Sequence, residues 1–157
     1  MDGVLAQFHP EKSIEEISEP GYFRNLEENK NIISAVERLY FEQIDVYILS
    51  SVINERAAQE KREWLHEHFP MISDDMMLFV PYGVTKTEYV RDMTGCICTD
   101  DVLIDDFTYN LKNWHGIGIK YLNKINNTNR TWTGYVVNGQ ASTDIIYTTI
   151  KGIDLVA

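Results

Sequence analysis

Cysteine is scarce in this chain of 157 residues, which contains only two, Cys96 and Cys98. Small extracellular scaffolds held by disulfides need more than that, so the composition favours a cytoplasmic setting. No apolar run approaches the roughly 18 residues that cross a bilayer, and no secretory signal pattern is visible. We therefore expect no membrane as a partner.

Positive charge is also in deficit, with 14 lysines and arginines against 24 acidic residues and a net charge of −10. A surface of this sign repels the phosphate backbone of nucleic acids and anionic lipid headgroups. We therefore expect no nucleic acid as a partner. A glycine-rich Walker-type loop is absent too, so hydrolysis of nucleoside triphosphates is not indicated. A small anionic substrate would need a cation, a lysine or helix N-termini to hold it.

Short apolar runs alternate with amphipathic helical patterns along the chain. The predicted strands cover residues 45–49, 76–80, 102–105, 118–122 and 134–137, and the main predicted helices cover 29–40, 55–68 and 109–114. Shorter helices are expected after the capping residues Ser13, Thr85 and Ser142. This alternation is typical of βαβ units. We predict an α/β fold with a three-layer, Rossmann-like, mainly parallel sheet, forming a single domain over residues 1–157.

Two adjacent carboxylates, Asp105 and Asp106, end the strand that begins at Val102. Open parallel sheets bind their ligands at the carboxyl ends of the strands. Neighbouring carboxylates repel each other and are costly to bury unless a cation neutralises them, and Mg²⁺ suits such a pair. The alternative is that Asp106 or Thr108 simply caps the helix that follows.

Three other stretches carry polar side chains at the end of a predicted strand or at the start of the next helix. They contain Asp2, the pair Ser50 and Ser51, and Lys86. A parallel sheet would bring these side chains to the same edge as the acidic pair. A carboxylate for proton transfer, hydroxyls, a lysine and a metal site together suit phosphoryl transfer.

These stretches resemble the motifs of a known superfamily. They read Asp2-Gly3-Val4-Leu5-Ala6-Gln7-Phe8, Pro20-Gly21-Tyr22-Phe23-Arg24, Ile48-Leu49-Ser50-Ser51, Lys86 and Asp101-Val102-Leu103-Ile104-Asp105-Asp106. They are similar to the haloacid dehalogenase superfamily, and its 5′(3′)-deoxyribonucleotidase branch is the nearest. The resemblance implies a Mg²⁺-dependent phosphomonoester hydrolase that acts on nucleoside monophosphates through a covalent aspartyl-phosphate. The expected partner is therefore a small phosphorylated substrate.

The resemblance also implies roles for individual residues. Asp2 matches the general acid/base, and Lys86 matches the lysine of the third motif. Ser50 matches the hydroxyl that binds the phosphoryl group, with Ser51 beside it. Mg²⁺ would be held by the residues Asp2, Asp105 and Asp106, with Asp106 as the likelier direct ligand and Asp2 acting through its backbone carbonyl.

Two departures from the family pattern qualify these expectations. The family reads Asp-x-Asp-Gly, and its first aspartate is the nucleophile, but here Met1 occupies the x position. We therefore expect the nucleophile, and the strand that carries it, to lie before Met1. The other reading is a catalytically inactive homologue that keeps the phosphate pocket. The second departure is the cap, because residues 9–25 are too few for a helical bundle. Within them, Tyr22 and Phe23 could equally form a wall of the site or part of the core.

Overall fold

The computed structural model of the chain describes residues 1–126 and 131–154. Its helices and strands alternate along these ranges. The helices are α1 Ile14–Ile17, α2 Lys30–Phe41, α3 Glu55–His68, α4 Lys86–Thr94, α5 Thr108–Lys112 and α6 Thr143–Asp154. The strands are β1 Ile48–Val52, β2 Met77–Pro81, β3 Val102–Asp105, β4 Ile117–Leu122 and β5 Tyr135–Asn138. Between the predicted strands 118–122 and 134–137 the sequence is rich in Asn and Thr, which predicts a loop over residues 123–133. This loop lies partly outside the described residues.

Side-chain caps explain why two helices begin where the sequence predicts. The Asn54 side chain accepts a hydrogen bond from the third residue of α3 at 2.8 Å. Thr85 and Glu88 form a reciprocal capping box at the start of α4. Each cap satisfies backbone N–H groups that have no partner inside the helix. The second cap makes Lys86 the first residue of α4, immediately after the turn that follows β2.

The prediction for the first strand was displaced. We expected it over residues 45–49, with the two serines after it, whereas β1 runs over Ile48–Val52 and contains Ser50 and Ser51. The extent of β1 is decided by its parallel partner, because Ile48 is paired with Met77 and the following four residues continue that register. Residues 45–47 line the neighbouring groove instead. Apolar character alone does not distinguish a paired segment from one that only covers the core.

The strands are parallel, which confirms the α/β fold class, and they form two sheets. One sheet contains β1 and β2, and the other has the order β3, β4, β5. In the described part of the chain, β1 and β3 are both edge strands, and they face each other across an apolar groove of about 190 Å³. Helices α2 and α6 contribute further apolar side chains to this groove, namely Ile32, Val36, Leu39 and Ile150.

Helix α3 anchors the segment that contains Gly21 and Phe23. The carboxylate of Glu60 accepts hydrogen bonds from the backbone N–H of Gly21 at 2.7 Å and of Phe23 at 3.1 Å. Phe23 is buried in the hydrophobic core, whereas Arg24 is exposed and pairs with Glu63. The question left open for Phe23 is thus answered in favour of the core.

Among the described helices, none is both long enough and apolar enough to cross a membrane.

Candidate functional site

The six residues selected from the sequence come together around one cavity of about 120 Å³. It lies where the ends of β1 and β3 meet the first residues of the chain. Its lining comprises Met1, Asp2, Val4, Ser50, Ser51, Lys86, Ile104, Asp105, Asp106, Phe107 and Asn110. Four separated stretches therefore meet as the parallel topology predicts. Their proximity leaves the individual roles as predictions.

Asp2 is paired with a buried lysine that the sequence analysis did not select. Lys61 on α3 is 1% exposed, and its ammonium donates to Asp2 Oδ2 at 2.5 Å, to Ser50 Oγ at 3.2 Å and to the Ser51 carbonyl at 2.6 Å. These contacts use all three donors of the ammonium group. Burial alone would raise the pKa of Asp2, but Lys61, the Met1 amino group and Lys86 outweigh it and lower that pKa below its ordinary value.

A signal for Lys61 was present in the sequence. The lysine shares the helical face of Trp64 and Leu65, which are both fully buried, and a lysine on a buried face needs a partner there. The sequence places Lys61 on that face but does not say which carboxylate it meets. The ring of Phe23 completes its surroundings, with the Lys61 ammonium 4.4 Å from the ring centroid.

Asp105 is held by three donors. Its carboxylate accepts hydrogen bonds from Lys86 Nζ at 2.6 Å, from Asn110 Nδ2 at 3.0 Å and from the Phe107 N–H at 2.7 Å. Both Lys86 and Asp105 are buried. The Lys86 side chain therefore points into the cavity and not into solvent, where a lysine at a helix N-terminus would ordinarily lie.

The capping alternative for the acidic pair is wrong. The residue at the N-cap of α5 is Phe107, and no side chain caps this helix by a hydrogen bond. Asp106 instead lies against the turn at the start of the chain. Gly3 adopts a φ of +75°, and a Cβ built on it would be 2.2 Å from Asp106 Oδ2. Only glycine permits this close approach in that conformation.

Asp106 is a half-buried carboxylate without a directly paired cation in the described part of the chain. Among the described residues it takes part in no ion pair, and its Oδ2 accepts a hydrogen bond from Asn123 Nδ2 at 3.2 Å. Burial, followed by the neighbouring charge of Asp105, raises its pKa to about 6. A carboxyl group in this state gains from a nearby cation.

Two asparagines of the predicted loop, Asn123 and Asn126, fix the position of Asp106. The sequence alone does not single them out. Asn123 also donates to the Gly3 carbonyl at 2.9 Å, and Asn126 Nδ2 donates to the Asp106 carbonyl at 2.8 Å. The two asparagines are joined to each other, because the Asn123 N–H donates to Asn126 Oδ1 at 2.8 Å. Asparagine-rich composition indicates a loop, but it does not indicate which amide faces the site.

The amino group of Met1 lies among these charged residues. Burial, followed by the charge of Lys86, lowers its pKa to about 6. Met1 lines the cavity, and its amino group interacts electrostatically with charged residues on both sides of the site, among them Asp2 and Asp105.

The donor set around the cavity fits a hard divalent cation. The carboxylates of Asp2, Asp105 and Asp106 are oxygen donors of the kind that Mg²⁺ binds. Asp2 Oδ1 is buried with no hydrogen-bond partner among the described residues, and Asp106 lacks a paired charge. Asp105 is committed to Lys86, so Asp106 and Asp2 offer the available oxygens.

One tighter group of possible ligands lies elsewhere in the described ranges. Cys98, Asp100 and Asp101 have ligand atoms within 4.8 Å of one another, and all three residues are exposed. The ligand oxygens of Asp2, Asp105 and Asp106 do not all lie within 4.8 Å of one another. A bound cation would therefore have to bring them closer together. We favour the site carboxylates because Asp105 is buried and Asp2 and Asp106 are half-buried, whereas exposed acidic residues are screened by water.

The fold and the site together define an α/β protein whose carboxylates, hydroxyls and buried lysines meet at the ends of parallel strands. Comparison with family models identifies the class as a nucleotidase-type phosphatase. Residues 1–150 match the family described as "5' nucleotidase, deoxy (Pyrimidine), cytosolic type C protein", and the chain belongs to this family. This confirms the resemblance seen in the sequence. No curated protein matches the chain.

Proposed function

We propose that this protein is a Mg²⁺-dependent phosphomonoester hydrolase of the cytoplasm that acts on nucleoside monophosphates through an aspartyl-phosphate. The whole chain forms one hydrolase domain in this proposal. The observation that carries it is the convergence of hydroxyl, ammonium and carboxylate groups from four stretches on one cavity. Family membership supports the same chemistry.

The phosphoryl group would be bound by Ser50, Ser51 and Lys86. Ser50 Oγ accepts a hydrogen bond from Lys61, which leaves its own proton free to bind a phosphoryl oxygen. Lys86 donates to Asp105 and has two further ammonium protons for a substrate. A compact cation beside the phosphoryl oxygens stabilises the negative charge that develops on them.

Mg²⁺ would be held by Asp106 and Asp2, with Asp105 behind them, and when bound it supplies charge stabilisation to the phosphoryl oxygens. Asp106, which has no ion pair among the described residues and a raised pKa, supports this assignment. Asp2 would act through its backbone carbonyl, which leaves its carboxylate for proton transfer. Asn123 donates to both Asp106 Oδ2 and the Gly3 carbonyl, which holds the Asp106 carboxylate against the turn that follows Asp2.

The attacking carboxylate would belong to an aspartate joined to the Met1 nitrogen. Two observations support this. Met1 is buried and lines the cavity. The edge strands β1 and β3, which both line the apolar groove, each have, among the described strands, an unpaired edge with which one more parallel strand could form hydrogen bonds. The carboxylate oxygen would form a bond to phosphorus while the bond from phosphorus to the nucleoside oxygen breaks. The negative charge of the bound substrate would favour uptake of a proton by Asp2, and Asp2 would give that proton to the leaving oxygen. Asp2 would then take a proton from water as the water oxygen displaces the carboxylate and releases phosphate.

A phosphate-release assay with two matched extensions tests this proposal. One form carries an apolar strand of about five residues, the length of β1, followed by Asp joined to Met1, and the other ends in Asn instead. Both should unfold at a higher temperature than Met1–Ala157, because both complete the sheet. Only the Asp form should release phosphate from a nucleoside monophosphate with Mg²⁺, by several orders of magnitude over the Asn form.

Equal turnover by the Asp form, the Asn form and Met1–Ala157 would contradict the covalent mechanism. If the Asp form binds phosphate and Mg²⁺ but releases no product, the binding or regulatory homologue is the better description. An Asp2→Asn substitution in the Asp form provides a further control, because it removes proton transfer while leaving the nucleophile in place.

A further inference from the structure

Two exposed aromatic side chains lie beside the acidic pair. Phe107 is 62% exposed and Tyr109 is 56% exposed, although both belong to residue types that proteins usually bury. Their ring centroids are 6.2 Å apart, with the ring planes inclined by 40°. Phe107 also lines the cavity, so an exposed aromatic residue lies at its rim. We call Phe107 and Tyr109 together the aromatic ledge.

The size of the cavity explains why the ledge matters. Its volume of about 120 Å³ is well below the roughly 300–1,000 Å³ of pockets that enclose a drug-sized ligand. A phosphoryl group fits in such a space, but a nucleoside does not. The rest of a phosphomonoester must therefore lie at the rim, where Phe107 is exposed.

The backbone of the aromatic ledge is held in place by a residue of the cavity. The Phe107 N–H donates to Asp105 Oδ1 at 2.7 Å, and Asp105 is in turn paired with Lys86. The backbone that carries the Phe107 ring is thereby tied to the same carboxylate that orients the lysine expected to bind phosphate. A planar group held on the ring would therefore lie within reach of the phosphoryl site.

We propose that the aromatic ledge binds the base of a nucleoside monophosphate by stacking, and so distinguishes nucleotides from sugar phosphates. This rests on the proposed function of the cavity and adds the residues that read the leaving group. Exposed apolar rings lose their contact with water when a base covers them, and base–aromatic stacking tolerates different bases. Phe107 carries most of the effect because it alone of the two lines the cavity.

Binding measurements on Met1–Ala157 with Mg²⁺ test the ledge without requiring turnover. The ligands are thymidine 5′-monophosphate, 2-deoxyribose 5-phosphate and inorganic phosphate, and their affinities are measured by NMR-detected titration. We expect the nucleotide to bind roughly tenfold more tightly than the sugar phosphate, the size of one stacked base. Phe107→Ala and Phe107→Leu should reduce this ratio to near one, whereas Phe107→Trp should keep it. Tyr109→Ala should reduce it less.

The matched control is Phe41→Ala, because Phe41 is 68% exposed at the end of α2 and does not line the cavity. It should leave the ratio unchanged. If phosphate still binds to Phe107→Ala and the tenfold ratio persists, the ledge proposal is wrong while the proposed function stands. If none of the three ligands binds to the parent chain, the proposed function fails, and the ledge fails with it.

Discussion

The two sides of the cavity differ in how their carboxylates are neutralised. On the side of β1, Asp2 is paired with Lys61, and its pKa lies below the ordinary value. On the side of β3, Lys86 pairs with Asp105 and leaves Asp106 without an ion pair among the described residues. The pKa of Asp106 is correspondingly raised to about 6.

This difference separates a carboxylate that the protein itself neutralises, Asp2, from one for which we propose a bound cation, Asp106. All three ammonium protons of Lys61 are donated to protein acceptors. Lys61 therefore orders Asp2 and Ser50 and has no proton left to donate to a substrate. Asp106 is the opposite case, because it is half-buried, has no ion pair among the described residues, and its neighbours offset the cost of ionising it only in part. Such a cost is ordinarily met by a bound cation.

The largest loss of stability is expected from Lys61→Met, which removes the Asp2–Lys61 ion pair on the β1 side of the cavity. The change leaves Asp2 buried without its lysine, and removing one partner of a buried pair typically costs about 3–5 kcal/mol. Urea denaturation measures the loss. The double variant Lys61→Met/Asp2→Asn should recover part of it, because the uncompensated charge is gone.

The exposed Lys30 supplies the control for this experiment, since its side chain is 79% exposed. Lys30→Met should change stability by less than about 0.5 kcal/mol. Equal losses from the two lysine substitutions would show that the Asp2–Lys61 pair does not organise the site.

Gly3→Ala should cost about 3 kcal/mol and displace Asp106. The new methyl group would lie 2.2 Å from Asp106 Oδ2, and alanine is strained at positive φ. Gly83→Ala is the matched control, because Gly83 has a φ of +91° but nothing within 4 Å of an added Cβ. It should cost only the conformational strain, about 1–2 kcal/mol. Similar losses for both glycines would mean that the Asp106 contact is unimportant.

Asp106→Asn should stabilise the metal-free protein and weaken Mg²⁺ binding strongly. The pKa of Asp106 is raised from 3.8 to about 6, so between those values the folded state holds a proton that the unfolded chain has lost. Stability of the parent should therefore fall as pH rises through that window. The variant should lack this fall and gain roughly 1–2 kcal/mol at pH 7.5, the shift being discounted for partial solvent screening.

Denaturation in a chelating buffer between pH 4 and 7.5 measures the first effect, and calorimetry with Mg²⁺ measures the second. Asp75→Asn, at an exposed position, should change neither. An unaltered Mg²⁺ affinity in Asp106→Asn would remove Asp106 from the metal site.

The smallest effect is expected from Asn123→Ala, at about 1 kcal/mol for the lost hydrogen bonds. The change should also raise the pKa of Asp106 further, because the Asn123 bond lowers it. Asn113→Ala is the control, since its amide donates to a backbone carbonyl on the exposed surface of α5. A carbon-detected NMR titration of the Asp106 carboxyl measures the pKa, and no shift in Asn123→Ala would place Asp106 outside the influence of the loop.

Much of the fold could be predicted because its signals are local. The capping residues Asn54 and Thr85 begin their helices as expected. The strand that ends at Asp105 was also predicted within its bounds. The start of β1 was misplaced because its extent depends on pairing with β2, and no feature of residues 45–52 records that pairing.

The sequence by itself determined the fold class, the family and the six residues that meet at the cavity. Residue type, period and spacing are sufficient for these, since parallel strands bring their ends to one edge. Only the tertiary structure decided which lysine neutralises which carboxylate. Lys61 reaches Asp2 across 59 positions, and Asn123 reaches Gly3 across 120. Charge pairing over such separations depends on distance and burial in the folded chain, and neither can be read from the order of the residues.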